Sequence, residues 1–248
     1  MEMNRNINII RKLSIELYRS GAISFGIYRL RSGRVSPYYI DLRVLVSNPE
    51  LLRISARLML DMFNNISPKP TKLCGIPMTG VVLVSAISVL GGLPGIYIRK
   101  EPSIYRDIIK KAEASGLECL EHLKGMLGGL RGKAHGVSRL VDGIIEDNDR
   151  VLIVDDVVTT GETKLEAVEI IKEESRRKGI SIDILGVAVL IDREEGGFEE
   201  LSKRGLKLYR VIGIREIIDI LLAEGLIGRD TAEKIYRYVE GVLSERQA

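Results

Sequence analysis

Four short runs rich in aliphatic and β-branched residues, "KLCGI", "GIYIRK", "RVLIVDDVV" and "DILGVAVLIDRE", constrain this chain more than any other feature. Segments with helical spacing lie between them, among them "TGVVLVSAISVL" and "KLEAVEIIKEESRRKG". Strands that alternate with helices build a parallel sheet through right-handed crossovers, so the expected architecture is an open α/β fold, a twisted, mainly parallel sheet flanked by helices. In such a sheet ligands lie beyond the carboxyl ends of the strands. Those ends are Gly75–Gly80, Arg99–Glu101, Asp155–Thr163 and Asp192–Gly197, and each carries polar or glycine-rich chemistry.

Residues 7–20 have the spacing of a helix, "GAISFGIYRLRSGRVSPYYIDLR" reads as short strands punctuated by Gly33 and Pro37, and Pro49–Phe63 reads as another helix. Two further helices are expected near the C-terminus. The uncharged stretch Leu73–Ile98 is long enough to cross a bilayer, but Gly75, Pro77, Gly91, Gly92 and Pro94 divide it into strand, turn, helix, turn and strand. A buried parallel strand and its covering helix also read as continuous apolar sequence, so no membrane role is expected. The net charge of +3 is spread among interspersed acids and bases, which leaves no basic stripe for nucleic acid. With two cysteines and two histidines, neither a disulfide framework nor a zinc cluster is indicated, and a cytoplasmic setting fits. The charged N-terminus lacks the apolar segment of an export signal.

The chemistry concentrates in "VLIVDDVVTTGET". A strand delivers Asp155 and Asp156 at its carboxyl end, and the next loop opens a helix whose free N–H groups and dipole favour an anion such as phosphate. Val157 and Val158 carry the chain into that loop, where Thr159, Thr160 and Thr163 offer hydroxyl donors and Gly161 permits close backbone approach. Adjacent carboxylates are poor phosphate partners but good acceptors for the vicinal hydroxyls of a ribose. A plainer reading makes Thr159 and Glu162 a helix capping box and the aspartates a solvated strand end. The run is neither a P-loop nor a GxGxxG dinucleotide turn.

This stretch resembles the phosphoribosyl-diphosphate motif of the type I phosphoribosyltransferases. Three further stretches, "LRSGRVSPYYIDLR", "IRKE" with "KAHGVSRLVDG", and "LIDREEGG", resemble the orotate phosphoribosyltransferase branch, and with "CGIPMTG" the likeness spans nearly the whole chain in order. The resemblance implies the type I phosphoribosyltransferase fold in one domain over 1–248. Its parts would be an N-terminal hood at about 1–47, a core at about 48–200, a catalytic-loop insertion at about 102–132 and a helical tail at about 205–248. It implies transfer of the 5-phosphoribosyl group from 5-phosphoribosyl 1-diphosphate to orotate, giving orotidine 5'-phosphate and pyrophosphate in pyrimidine biosynthesis.

By the same resemblance the diphosphate substrate is held by Arg99, Lys100, Thr79, Gly80 and the run Asp155, Asp156, Val157, Val158, Thr159, Thr160, Gly161, Glu162 and Thr163. Orotate is met by Arg31, Tyr38, Tyr39, Thr159 and Arg193, although one of the two tyrosines can equally be an ordinary half-buried strand residue, and Arg193 can instead pair with Glu194 or Glu195. Lys133, His135, Lys100 and Asp156 are the implied catalytic groups. Mg2+ is the implied cofactor, carried by the substrate near Asp155 and Asp156 with no protein ligand assigned. The family's usual lysine before Ser-Gly is Arg31 here, a planar fork in place of a point charge. The insertion leaves Lys110 and Lys111 as competitors of Lys133, and the roles of Cys119 and His122 open. A homodimer with shared active sites is implied, as is a separate orotidine 5'-phosphate decarboxylase, because the chain is too short to add a barrel domain. The rival readings are transfer to another base and a regulatory protein that binds phosphoribosyl diphosphate without turnover.

Overall fold

The computed structural model of the chain describes residues 2–30, 33–99 and 140–247. The elements are α1 (Glu2–Arg19), β1 (Ile23–Arg29), β2 (Val35–Ile40), a 3-10 turn (Leu42–Ser47), α2 (Pro49–Phe63), β3 (Lys72–Gly75), α3 (Thr79–Gly91), β4 (Gly95–Ile98), β5 (Val141–Asp142), β6 (Asp149–Val158), α4 (Glu162–Lys178), β7 (Ile182–Asp192), α5 (Gly197–Lys203), β8 (Leu208–Gly213), α6 (Ile214–Ala223) and α7 (Arg229–Gln247). The main sheet has the order β5-β4-β3-β6-β7-β8. All its neighbours run parallel except β5, which pairs antiparallel with β4.

The middle of β6 and of β7 is buried on both faces, which is why Val151–Val154 and Val187–Ile191 run without a polar residue. Side chains alternate across the sheet. Leu152 and Val154 of β6 join α1, α2, α3 and α6 residues such as Leu13, Met59, Leu83 and Ile217 in one core. Val151 and Ile153 face the other way, against Ala167, Val168 and Ile171 of α4 and Leu201 of α5. The apolar stretch from Leu73 to Ile98 is accordingly β3, α3 and β4, and no helix among the described residues is long and apolar enough to cross a membrane.

α2 begins where its sequence says it should. Asn48 caps it by accepting from the Leu51 N–H at 3.1 Å, and Pro49 occupies the first helical position, where no N–H is needed. β1 and β2 form a separate two-stranded antiparallel sheet. Pro37 lies inside β2 rather than ending it, because the register slips there: Phe25 pairs with Tyr38 and Tyr28 with Ser36, so Gly26 and Ile27 together oppose the proline. A bulge on an edge tolerates the missing donor.

The expected helical tail from about 205 needs correction. Its first element is β8, an edge strand whose exposed Arg210 and half-covered Leu208 and Tyr209 blur the alternation that would have marked it. Only then do α6 and α7 follow, and they close over the two-stranded sheet: Tyr38 packs with Ile214, Ile218, Ile235 and Val239. The helical spacing at 7–20 is α1, whose Leu13 and Leu17 belong to the main core rather than to the two-stranded sheet.

Candidate active site

The carboxyl ends of β3 and β6 open onto a cleft of about 400 Å³, lined by Tyr39, Asp41 and Arg43 from one side, by Ile76–Thr79 from another, and by Asp155, Asp156 and Thr163 at its floor. Three stretches far apart in sequence thus meet at the place where a parallel sheet presents its ligands. The close approach of α3 to the end of β6 depends on Gly80. A Cβ there would lie 2.5 Å from the Val154 carbonyl oxygen, so any side chain would force the start of α3 off the strand end. α3 starts at Thr79 beside the cleft without a side-chain cap, so its first N–H groups have no side-chain partner at the cap.

The two acids are not equivalent. Asp155 is buried. Its Oδ1 accepts from the Asp156 N–H at 2.9 Å and its Oδ2 lies 2.7 Å from Lys164 Nζ. Asp156 is half-buried, and its Oδ1 accepts from the Val157 N–H at 2.8 Å. Burial, and then the negative charge of Asp155, hold the Asp156 carboxyl well above the usual carboxylate range.

Beyond the acids the loop turns at Gly161, whose φ of 85° suits glycine, and α4 begins at Glu162 with Gly161 as its N-cap and no side-chain cap bond. The capping-box reading of Thr159 and Glu162 therefore does not hold, and the first amides of α4 keep no side-chain partner at the cap. Val158 is fully buried among the residues of the α4 face, so it can offer a ligand only its backbone. Glu162 turns its side chain away from the cleft into a second groove, shared with Leu140, Leu165 and Arg204.

Other expected site residues separate. Arg99 lines that second groove and is held by Asp142 at 2.8 Å, so it is not brought to the cleft. Tyr38 is fully buried and donates through its hydroxyl to Glu195 at 2.8 Å, whereas Tyr39 is 38% exposed and lines the cleft, stacked 5.5 Å from Tyr28. One aromatic of the pair is core and the other faces the site. Arg193 is only 5% exposed: it pairs with Glu195 at 2.8 Å, donates to Ser36 Oγ at 3.3 Å and sits 4.5 Å over the Tyr38 ring. The pairing of Arg193 with Glu195 is thus a buried latch between β2 and the end of β7. Burial, ahead of the neighbouring charges, pushes the Tyr38 hydroxyl far up. Arg31, Lys100, Lys110, Lys111, Cys119, His122, Lys133 and His135 lie outside the described residues, as does the 102–132 insertion.

Three site residues escaped the sequence reading. Asp41 and Arg43 line the cleft, with Arg43 Nε 2.7 Å from Asp41 Oδ1 and its guanidinium engaging both carboxylate oxygens. Their position in the conspicuous "YYIDLR" run was the available hint. Lys164 carried none, since a lysine early in a helix normally points to solvent.

Comparison with known proteins adds the family. The model of the "Phosphoribosyl transferase domain" matches residues 43–214. A relative from Cenarchaeum symbiosum, an orotate phosphoribosyltransferase, is 34% identical over 91% of this chain and 94% of its own length. The uridine 5'-monophosphate synthase of Bos taurus is 27% identical over 94% of this chain, which spans only 41% of that longer protein. The crystal structure of the Aeropyrum pernix orotate phosphoribosyltransferase covers 87% of this chain and 99% of its own, at 25% identity and a TM-score of 0.62.

Proposed function

The chain belongs to the phosphoribosyl transferase domain family, and from that premise we propose that it transfers the 5-phosphoribosyl group from 5-phosphoribosyl 1-diphosphate to orotate, yielding orotidine 5'-phosphate and pyrophosphate. The observation that supports this reading is the convergence of Tyr39, Thr79, Asp155, Asp156 and Thr163 on one cleft at the carboxyl ends of β3 and β6. The 5-phosphate takes the amides and hydroxyls of Thr159–Thr163 at the start of α4, and the ribose diol bonds to Asp156 beside Asp155. The pyrophosphate takes the first amides of α3 and the hydroxyl of Thr79, with Lys100 and Arg99 as further cations. Arg99 would have to exchange its partner Asp142 to reach it.

Orotate stacks against Tyr39, with Arg31 and Thr159 beside it. Arg193 meets the base's carboxylate by giving up its contact with Ser36 or Glu195, and Tyr38 holds that latch from behind. A bidentate arginine would separate orotate from uracil. Orotate arrives as an anion, so the residues act on the leaving group more than on the nucleophile. As the bond to pyrophosphate breaks, the ribose becomes oxocarbenium-like and negative charge grows on the departing oxygens, where Lys133 and Lys100 supply charge and His135 a proton or hydrogen bond.

Mg2+ would be carried by substrate oxygens near Asp155 and Asp156. When bound it neutralises the diphosphate charge. Sites shared between two copies, a cytoplasmic setting, a separate decarboxylase and a single catalytic unit over 1–248 belong to the same proposal. The test is an assay of the purified protein with orotate, phosphoribosyl diphosphate and Mg2+, following the loss of orotate absorbance. Turnover with uracil or a purine in preference to orotate, or binding without turnover, would refute the reading.

A further inference from the structure

Lys164 is a buried charge beside the cleft that the proposed reaction leaves unused. It belongs to the first turn of α4, yet it is only 6% exposed. Its Nζ reaches back beneath the acidic strand end to two partners at once, Asp155 Oδ2 at 2.7 Å and the Val157 carbonyl oxygen at 2.5 Å. An ordinary buried ion pair neutralises a carboxylate and stops there. Here the same ammonium also binds the backbone at the residue where strand becomes phosphate loop. Asp155 completes the arrangement, because its second oxygen holds the Asp156 N–H at 2.9 Å.

Lys164, from the first turn of α4, therefore ties down the strand side of the turn. Asp155 is drawn inward, the Asp156 peptide is fixed by Asp155, and the Val157 carbonyl is turned toward the helix. That last orientation matters for the ligand. A carbonyl pointing into the cradle would repel phosphate oxygens, whereas one turned inward leaves the loop's N–H groups to face the anion. The placement also makes charge sense, since an ammonium below the turn adds positive potential to the helix end that receives the phosphate.

We propose that Lys164 is the positioning residue of the cradle: it assigns Asp155 to an inward anchoring role, leaves Asp156 as the carboxylate presented to the ribose diol, and sets the phosphate loop before the ligand arrives. The inference rests on the phosphoribosyl reading of the cleft. Its own bonds go to the ribose-phosphate side of the cleft, to Asp155 and to the Val157 carbonyl.

The test compares two probes on the full-length protein, ribose 5-phosphate for the cradle and magnesium pyrophosphate for the α3 side, with binding measured by calorimetry. Lys164→Met keeps the length and removes both bonds. It is expected to weaken ribose 5-phosphate by roughly ten- to a hundredfold, the range of a lost charge-assisted hydrogen bond, while pyrophosphate binds as in the wild type. In turnover, KM for the diphosphate rises more than kcat falls. Because Lys164→Met leaves a lone carboxylate buried, which destabilises the fold, Lys164→Gln is tested beside it: its shorter neutral amide satisfies one partner at most, and the same selective loss is expected. Wild-type affinity for ribose 5-phosphate in either folded variant overturns the proposal, as does equal loss of both probes, which a general structural defect would produce. A wild-type protein that bound neither probe would instead overturn the reading of the cleft.

Discussion

Asp156 sits at the floor of the cleft with one oxygen already accepting from the Val157 amide. Burial, and then the charge of Asp155, push its carboxyl up to about 7, so the protonated form is favoured only below that pH. The stability this contributes is present below the ordinary carboxylate range and is lost as pH rises through the raised value, since the half-buried group must then ionise beside Asp155. A ribose diol donates two hydrogen bonds and so binds the ionised form. Ligand binding near the raised pKa should therefore release a proton, read as a dependence of the calorimetric enthalpy on buffer ionisation heat, and Asp156→Asn should abolish that dependence. Arg193 carries a second prediction. Arg193→Met would leave Glu195 buried without its cation, a change that costs about 3–5 kcal/mol and should lower the melting temperature, whereas Tyr39→Ala, on the exposed cleft wall, should raise KM for orotate and barely move the melting temperature. Of the residues named from sequence, Asp155, Asp156, Thr79, Thr163 and Tyr39 do meet at one cleft, because each is fixed by its place at a strand end or in the "YYIDLR" run. Lys164 was not legible, since nothing local tells a buried cation from a solvated one, and Arg43 carried only the hint of its place in the "YYIDLR" run.

At the scale of elements, the strand–helix junctions hold the site. The β3–α3 junction depends on Gly80, and Gly80→Ala should press a methyl onto the Val154 carbonyl, costing about 1–3 kcal/mol and weakening pyrophosphate more than ribose 5-phosphate, as separate titrations of the two would reveal. By contrast Asn48→Ala removes the cap of α2, remote from the cleft, and should cost about 1 kcal/mol in thermal or denaturant melts with KM unchanged. β3, α3, β4, β6, α4 and β7 could be read from periodicity because their apolar patterns are long or bounded by glycine and proline. β8 could not: an edge strand is covered on fewer sides, so it keeps polar residues such as Arg210 and loses its alternation. α5, with seven residues, is too short to develop a helical pattern.

For the whole molecule, the sheet order β5-β4-β3-β6-β7-β8 places β3 and β6 side by side although more than seventy residues of chain separate them. If two copies share their sites, a mixture of Asp156→Asn with Lys133→Ala chains should recover turnover that neither variant has alone, because one mixed site would combine an intact cradle with an intact loop lysine. Failure to recover it after subunit exchange would place both groups in the same chain's site. The sequence by itself determined the α/β class, the strand ends where ligands would lie, and the acid–threonine–glycine turn, because those follow from side-chain periodicity and local backbone chemistry. The tertiary structure alone decided which charges are spent on one another: that Arg193 latches onto Glu195, that Arg99 turns to Asp142, and that Lys164 reaches under Asp155. Such pairings depend on distances across the fold and on the cost of burying a charge unpaired, and neither quantity is written in the order of residues along the chain.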